Sequence, residues 1–125
     1  IAEQLDVFTK ESLAMPKMNN PFLLDDKTKH PMIFGYFIGA MEYLTQHYTL
    51  SENDMHTVYT EYLSRNFTDH DEAHTKALLD YSKEIRQIED VARYRLVGNH
   101  AMKKWNAGGP MAKYAPMGLI RLLND

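Results

Sequence analysis

An all-α fold is what this sequence predicts, on three observations. Apolar residues recur three and four apart through most of the chain, two segments open with strong helix-start signals, and nothing reads as a sheet. The expected architecture is a single helical domain over residues 1–125, a compact bundle of about five helices. One long helix over about 68–105 is its spine, and an apolar helix over about 31–48 lies at its centre. The composition agrees: 125 residues suffice for one core without staples, and 44% hydrophobic with 25% charged residues suits a soluble globule rather than a disordered chain.

The first helix is expected over residues 2–15, with Leu5, Phe8 and Met15 on one side, and Pro16 stops it because proline lacks the amide a continuing helix needs. The connection to His30 contains Asn19-Asn20-Pro21, a turn signal. Its Met18, Phe22, Leu23 and Leu24 are apolar enough to lie across the core. Pro31 suits a first helical turn, and Met32–Leu44 is apolar on nearly all sides, as in a helix surrounded by others. Thirteen residues interrupted by Glu42 do not span a bilayer, which takes about 20. Gly35 and Gly39, four apart, present a flat stripe for a tight internal crossing.

Leu50-Ser51-Glu52-Asn53-Asp54-Met55 is a helix start, with Ser51 as N-cap and Leu50 and Met55 as a hydrophobic staple. Met55, Val58, Tyr59, Tyr62 and Leu63 form the buried face of that helix. Thr68 is read as the next cap, with Asp69, Asp71 and Glu72 at the positive end of the helix dipole. Leu78, Tyr81, Ile85, Ile88 and Ala92 form the buried stripe of the long helix, and Lys76, Asp80, Lys83, Glu84 and Gln87 its wet face. Gly108-Gly109-Pro110 ends it. A tail helix starts at Pro116 and offers Met117, Leu119, Ile120, Leu122 and Leu123, too many for one narrow face. A second copy of the chain is the simplest cover for the surplus, so a homodimer is expected. Residues 42–49 and 61–68 resemble each other at an offset of 19 and read as one helix-ending solution used twice.

Charge is unevenly spread. Residues 1–72 carry 12 acidic and 5 basic side chains, whereas residues 73–125 carry 5 acidic and 9 basic. Such asymmetry bears on partners rather than on fold.

The sharpest chemical candidate is the pair His70 and His74, which on a helix would share one face as two metal ligands. A zincin needs glutamate directly after the first histidine; here Asp71 stands there and Glu72 follows, so the bland reading, two exposed histidines at an acidic helix start, is preferred. No glutamate is followed three residues later by histidine, as a di-iron bundle requires. No phosphate-cradling glycine loop and no nucleophile elbow occur. Lacking cysteine, the chain has no disulfide, no thiolate-bound zinc and no thiol nucleophile.

Arg93, Arg95, His100, Lys103 and Lys104, with Tyr94 and Trp105, form a basic aromatic run that could meet phosphate. The net charge of −3 and the lack of any accompanying motif argue against nucleic acid. Together with Phe37 and Met41, the three tyrosines Tyr36, Tyr43 and Tyr48 could line an apolar pocket for a small ligand, although a packed core is the commoner outcome. These three tyrosines with Arg93, Arg95 and Trp105 are the candidate ligand or partner surface. The expectation is a cytoplasmic, non-enzymatic interaction protein, an adaptor, inhibitor or immunity-type factor with a charged helical surface for a protein partner and no cofactor. The alternative is a small-molecule binder or metal-dependent enzyme using the tyrosine-rich interior or the histidine pair.

Overall fold

The computed structural model describes residues 2–110 and 112–124, and they are all-helical. Six α-helices follow in order: α1 (Ala2–Asn19), α2 (His30–His47), α3 (Glu52–Asn66), α4 (Glu72–Ile85), α5 (Glu89–Ala107) and α6 (Gly118–Leu123). Short 3-10 turns at Leu23–Asp25 and Lys27–Lys29 lead into α2, and a longer one at Ala112–Met117 leads into α6. Among the described residues no helix is long and apolar enough to cross a membrane.

The centre is α2. Every residue from Ile33 to Met41 is buried, as its all-round apolarity predicts. Its main partner is α5, and the glycine stripe explains how close the two lie. A Cβ on Gly39 would run into the backbone of Arg95, and one on Gly98 of α5 would run into the backbone of Tyr36. Two glycines, one on each helix, thus let the backbones touch, which no residue with a side chain permits. Glu42 then ties the crossing: Arg95 donates to it through Nε (2.8 Å) and Nη2 (2.6 Å). Such bidentate charged bonds are among the stronger polar contacts, and Glu42 accordingly holds the guanidinium of Arg95 above its usual range.

Rings fill the rest of the core. Phe8 of α1 stacks on Tyr36 and meets Phe37 and Trp105 edge-on. Phe67, just past α3, packs on Phe34, Phe37 and Tyr62. Two phenols find hydroxyl partners, Tyr62 with Thr9 (2.8 Å) and Tyr59 with Ser82 (2.7 Å). The hydroxyls of Tyr36 and Ser12 are buried without a well-formed hydrogen bond. At the opposite edge Asp6 links α1 to α3, pairing with Arg65 (2.9 Å) and accepting from Asn66 (2.7 Å).

Several expectations are corrected. Helix α1 runs through Pro16 to Asn19. A proline costs most in a helix interior; here only one further turn follows, and the carbonyl of Pro16 accepts from Asn20 (2.9 Å). Met15, 47% exposed, faces outward with Met18 and Phe22; of the four apolar residues expected across the core, Leu23 is buried and Leu24 half-buried.

The long helix is two helices. It begins at Glu72, capped by Asp71, whose carboxylate accepts from the His74 amide (2.9 Å); Thr68 instead bonds Thr75 inside the fold (2.6 Å). It breaks at Arg86–Ile88, where Ile88 is extended and 44% exposed rather than part of the core stripe. The break has a geometric reason. At about 100° per residue, positions six apart in one helix differ by roughly 240° in direction, yet Ile85 and Val91 are both 1% exposed in the same core. Past the break Ala92 is exposed, outside the expected buried stripe, and Leu96 is 57% exposed.

The tail also differs. Pro116 lies within the 3-10 turn and α6 begins at Gly118. Leu119 and Leu122 are buried and Met117, Ile120 and Leu123 half-buried. Part of the apolar set from which a homodimer is expected thus packs within the chain, and part stays at the surface.

The echoed segments end alike only at first. His47 and Asn66 are the last residues of their helices, and the next amides, of Tyr48 and Phe67, bond back to Leu44 and Leu63. Beyond that point Phe67 enters the core while Tyr48 is 42% exposed.

Candidate protein-docking groove

The sequence-derived site residues do not converge. His70 lies before the α4 cap in the left-handed region (φ 63°), its Nδ1 3.1 Å from the Ser64 hydroxyl. His74 sits in the first turn of α4, so the shared helix face that suggested a metal pair does not form. Among the described residues no group of three or more histidine or carboxylate side chains gathers as metal ligands would.

The six surface candidates scatter likewise. Tyr36 is fully buried, and desolvation pushes its phenol up to about 12 despite help from Ser12 and the Leu119 backbone. Tyr43 stacks on His47, while Tyr48 accepts from Gln4 (3.2 Å), at the C-terminal end of α2. Arg93 lies over the Tyr94 ring (5.4 Å). Arg95 is engaged by Glu42 and also donates to the Arg86 carbonyl (3.1 Å), satisfying the frayed end of α4. Trp105 packs on Phe8 and donates to Glu11 (3.1 Å).

What the fold does assemble is a groove of about 680 Å³ between the second half of α5 and the C-terminal segment. Its floor is low and apolar, made of Val97, Ala101, Ala115, Gly118 and Leu122. Small residues create the depth. Gly118 sits over Tyr36, where an added Cβ would lie 3.4 Å from the phenol ring and hydroxyl. Exposed His100 and Lys104 line one wall and Arg121 and Tyr114 the other, with Lys113 over the Tyr114 ring (5.1 Å).

No lining residue is acidic, and residues 91–124 contain no aspartate or glutamate at all while carrying six lysines and arginines. Among the described residues neither Lys104 nor Arg121 is paired with a carboxylate. The groove thus sets two cations, Lys104 and Arg121, and His100 around an apolar floor. His100 and Lys104 belong to the run visible on α5, but Tyr114 and Arg121 were missed, because only the tertiary fold sets them opposite. The carboxylate-free stretch was the signal that could have located them.

No known family model matches this chain, and no curated protein or solved structure matches it either. Fold and candidate site alone describe the class: a helical bundle, with six α-helices among the described residues, and an open groove rimmed by cations.

Proposed function

We propose that this chain is a non-enzymatic interaction protein that receives an acidic amphipathic helical segment of a protein partner in the groove between α5 and the C-terminal segment. One observation carries the reading: an apolar floor rimmed by Lys104, Arg121, His100 and Tyr114, within a stretch that has no carboxylate. A helix laid in such a groove buries its apolar side chains on the floor, the mode many helix-binding proteins use. Its carboxylates meet the rim cations, which sets orientation and accelerates encounter. The apolar floor favours a protein segment over nucleic acid, whose backbone would want an unbroken cationic track. This groove is the partner surface the reading uses, and a homodimer remains a separate proposal for the half-buried Met117, Ile120 and Leu123.

The test is an anisotropy titration of the full chain with a labelled amphipathic peptide rich in glutamate and leucine. The same peptide with lysine for glutamate and a single-stranded oligonucleotide are the comparisons. The acidic peptide should bind, with an affinity that falls as salt is raised, and K104E with R121E should weaken it by about tenfold or more. Tighter binding of the oligonucleotide, or an unchanged affinity in the double variant, would overturn the proposal.

A further inference from the structure

Where α2, α3 and α4 meet, Ile38, Met41, Met55, Tyr59 and Leu79 line a second cavity, of about 100 Å³, separate from the groove. We infer that it is a binding site for a small monocarboxylate with a compact apolar body, a single aromatic ring or a short branched chain. The walls set the body. Ile38 and Met41 are buried core residues, and the polar atoms that reach the chamber satisfy each other, the Tyr59 hydroxyl lying 2.7 Å from that of Ser82. A chamber with no unmet polar group gives water little to bond, and because it opens to one side, a compact apolar body can enter it while its polar end stays at the entrance.

The mouth sets the head group. Lys83 and Arg86 stand there with Glu42 and His56. Glu42 is the only carboxylate among the lining residues, and both its oxygens already accept from Arg95. Arg86 meets it only at 3.6 Å, with 40% of its side chain exposed. Two cations therefore face the entrance against one engaged carboxylate, and a guanidinium is well shaped for a second carboxylate. The inference does not depend on the groove, and no residue lines both.

The experiment is an NMR titration of the full chain with benzoate, benzyl alcohol and acetate, following the methyl signals of Ile38, Met41, Met55 and Leu79. Benzoate should move these signals, saturating in the millimolar range that so few heavy atoms permit. Benzyl alcohol should move the same signals about tenfold more weakly, for want of the charged head, and acetate should move none. K83Q with R86Q should bring benzoate down to the level of the alcohol. Leu79→Phe, or Met55→Phe if the first disturbs folding, should fill the chamber and abolish both. Equal affinity for benzoate and benzyl alcohol, no response to either ring, or shifts confined to other regions would overturn it.

Discussion

Gly39→Ala should destabilise this protein by about 2–4 kcal/mol, although alanine is normally the better helix former by about 1 kcal/mol. The new methyl would overlap the carbonyl oxygen, carbonyl carbon and Cα of Arg95. Those are backbone atoms of a packed helix and cannot swing aside, so α2 and α5 must separate. Overpacking costs typically 1–3 kcal/mol and more where relaxation is blocked. Separation also stretches the bonds of 2.8 and 2.6 Å between Arg95 and Glu42, and hydrogen bonds to charged groups contribute about 1.5–3 kcal/mol when intact. These side chains are partly exposed, so only a fraction of that is lost. Gly98→Ala, against the Tyr36 backbone, should cost a similar amount. Gly35→Ala meets Val91 Cγ1 at 2.9 Å and Tyr94 Cβ at 3.1 Å; the valine methyl yields a little, but the Tyr94 Cβ moves only with its backbone, so the cost should be about 1–2 kcal/mol, below that of Gly39→Ala. Gly118→Ala finds nothing closer than 3.4 Å and should lie within about 0.5 kcal/mol of the parent. Urea unfolding followed by far-UV circular dichroism measures all four. Gly39→Ala as stable as the parent, or Gly118→Ala the worst of the set, would refute the crossing.

Three further outcomes are expected. Ile85→Ala should cost about 2–5 kcal/mol, whereas Ile88→Ala should stay within about 0.5 kcal/mol; equal losses in urea unfolding would restore the unbroken helix. Thr49, the β-branched residue ending α2 at φ 54°, lies between bonds from Thr49 N–H to Gln46 (3.3 Å) and Leu50 N–H to Thr45 (3.0 Å). Glycine is the usual occupant of such a position, so Thr49→Gly should raise stability by about 1 kcal/mol, while Ser51→Ala, removing the cap bond to Asp54, should lower it by about 1 kcal/mol; thermal unfolding checks both. Burial pushes the phenols of Tyr36 and Tyr59 up to about 12 from an ordinary 10.0. Their contribution is therefore complete below pH 10, where both states hold the proton. It is lost between about pH 10 and 12, as the unfolded chain ionises first, by roughly 1.4 kcal/mol per pH unit for each phenol. Urea midpoints across that window, with tyrosinate absorbance in parallel, should show the decline, and a flat profile would contradict it.

Much of the fold was legible because it rests on local chemistry. Ser51 accepts from the Asp54 amide as its motif implies (3.1 Å), the all-round apolarity of α2 places it at the centre, and the spacing of Gly35 and Gly39 announces a close crossing. What was not legible depends on neighbours far along the chain. Nothing at Arg86-Gln87-Ile88 is a helix breaker by type, and the break follows from the need to place Ile85 and Val91 in one core. The missing amide of Pro16 signals a stop, whereas its carbonyl supports one further turn by accepting from Asn20. The groove needed Arg121 and Tyr114 set opposite Lys104, a juxtaposition of residues that no helical period connects.

Docking of an acidic segment in that groove is tested most directly by mapping the acidic amphipathic peptide on the isotope-labelled chain by amide chemical shifts. The predicted result is a contiguous set of shifts from Val97 to Lys104 and from Tyr114 to Leu122, diminishing together as salt is raised. Shifts centred on α3 and α4, or scattered over the acidic first half, would contradict it.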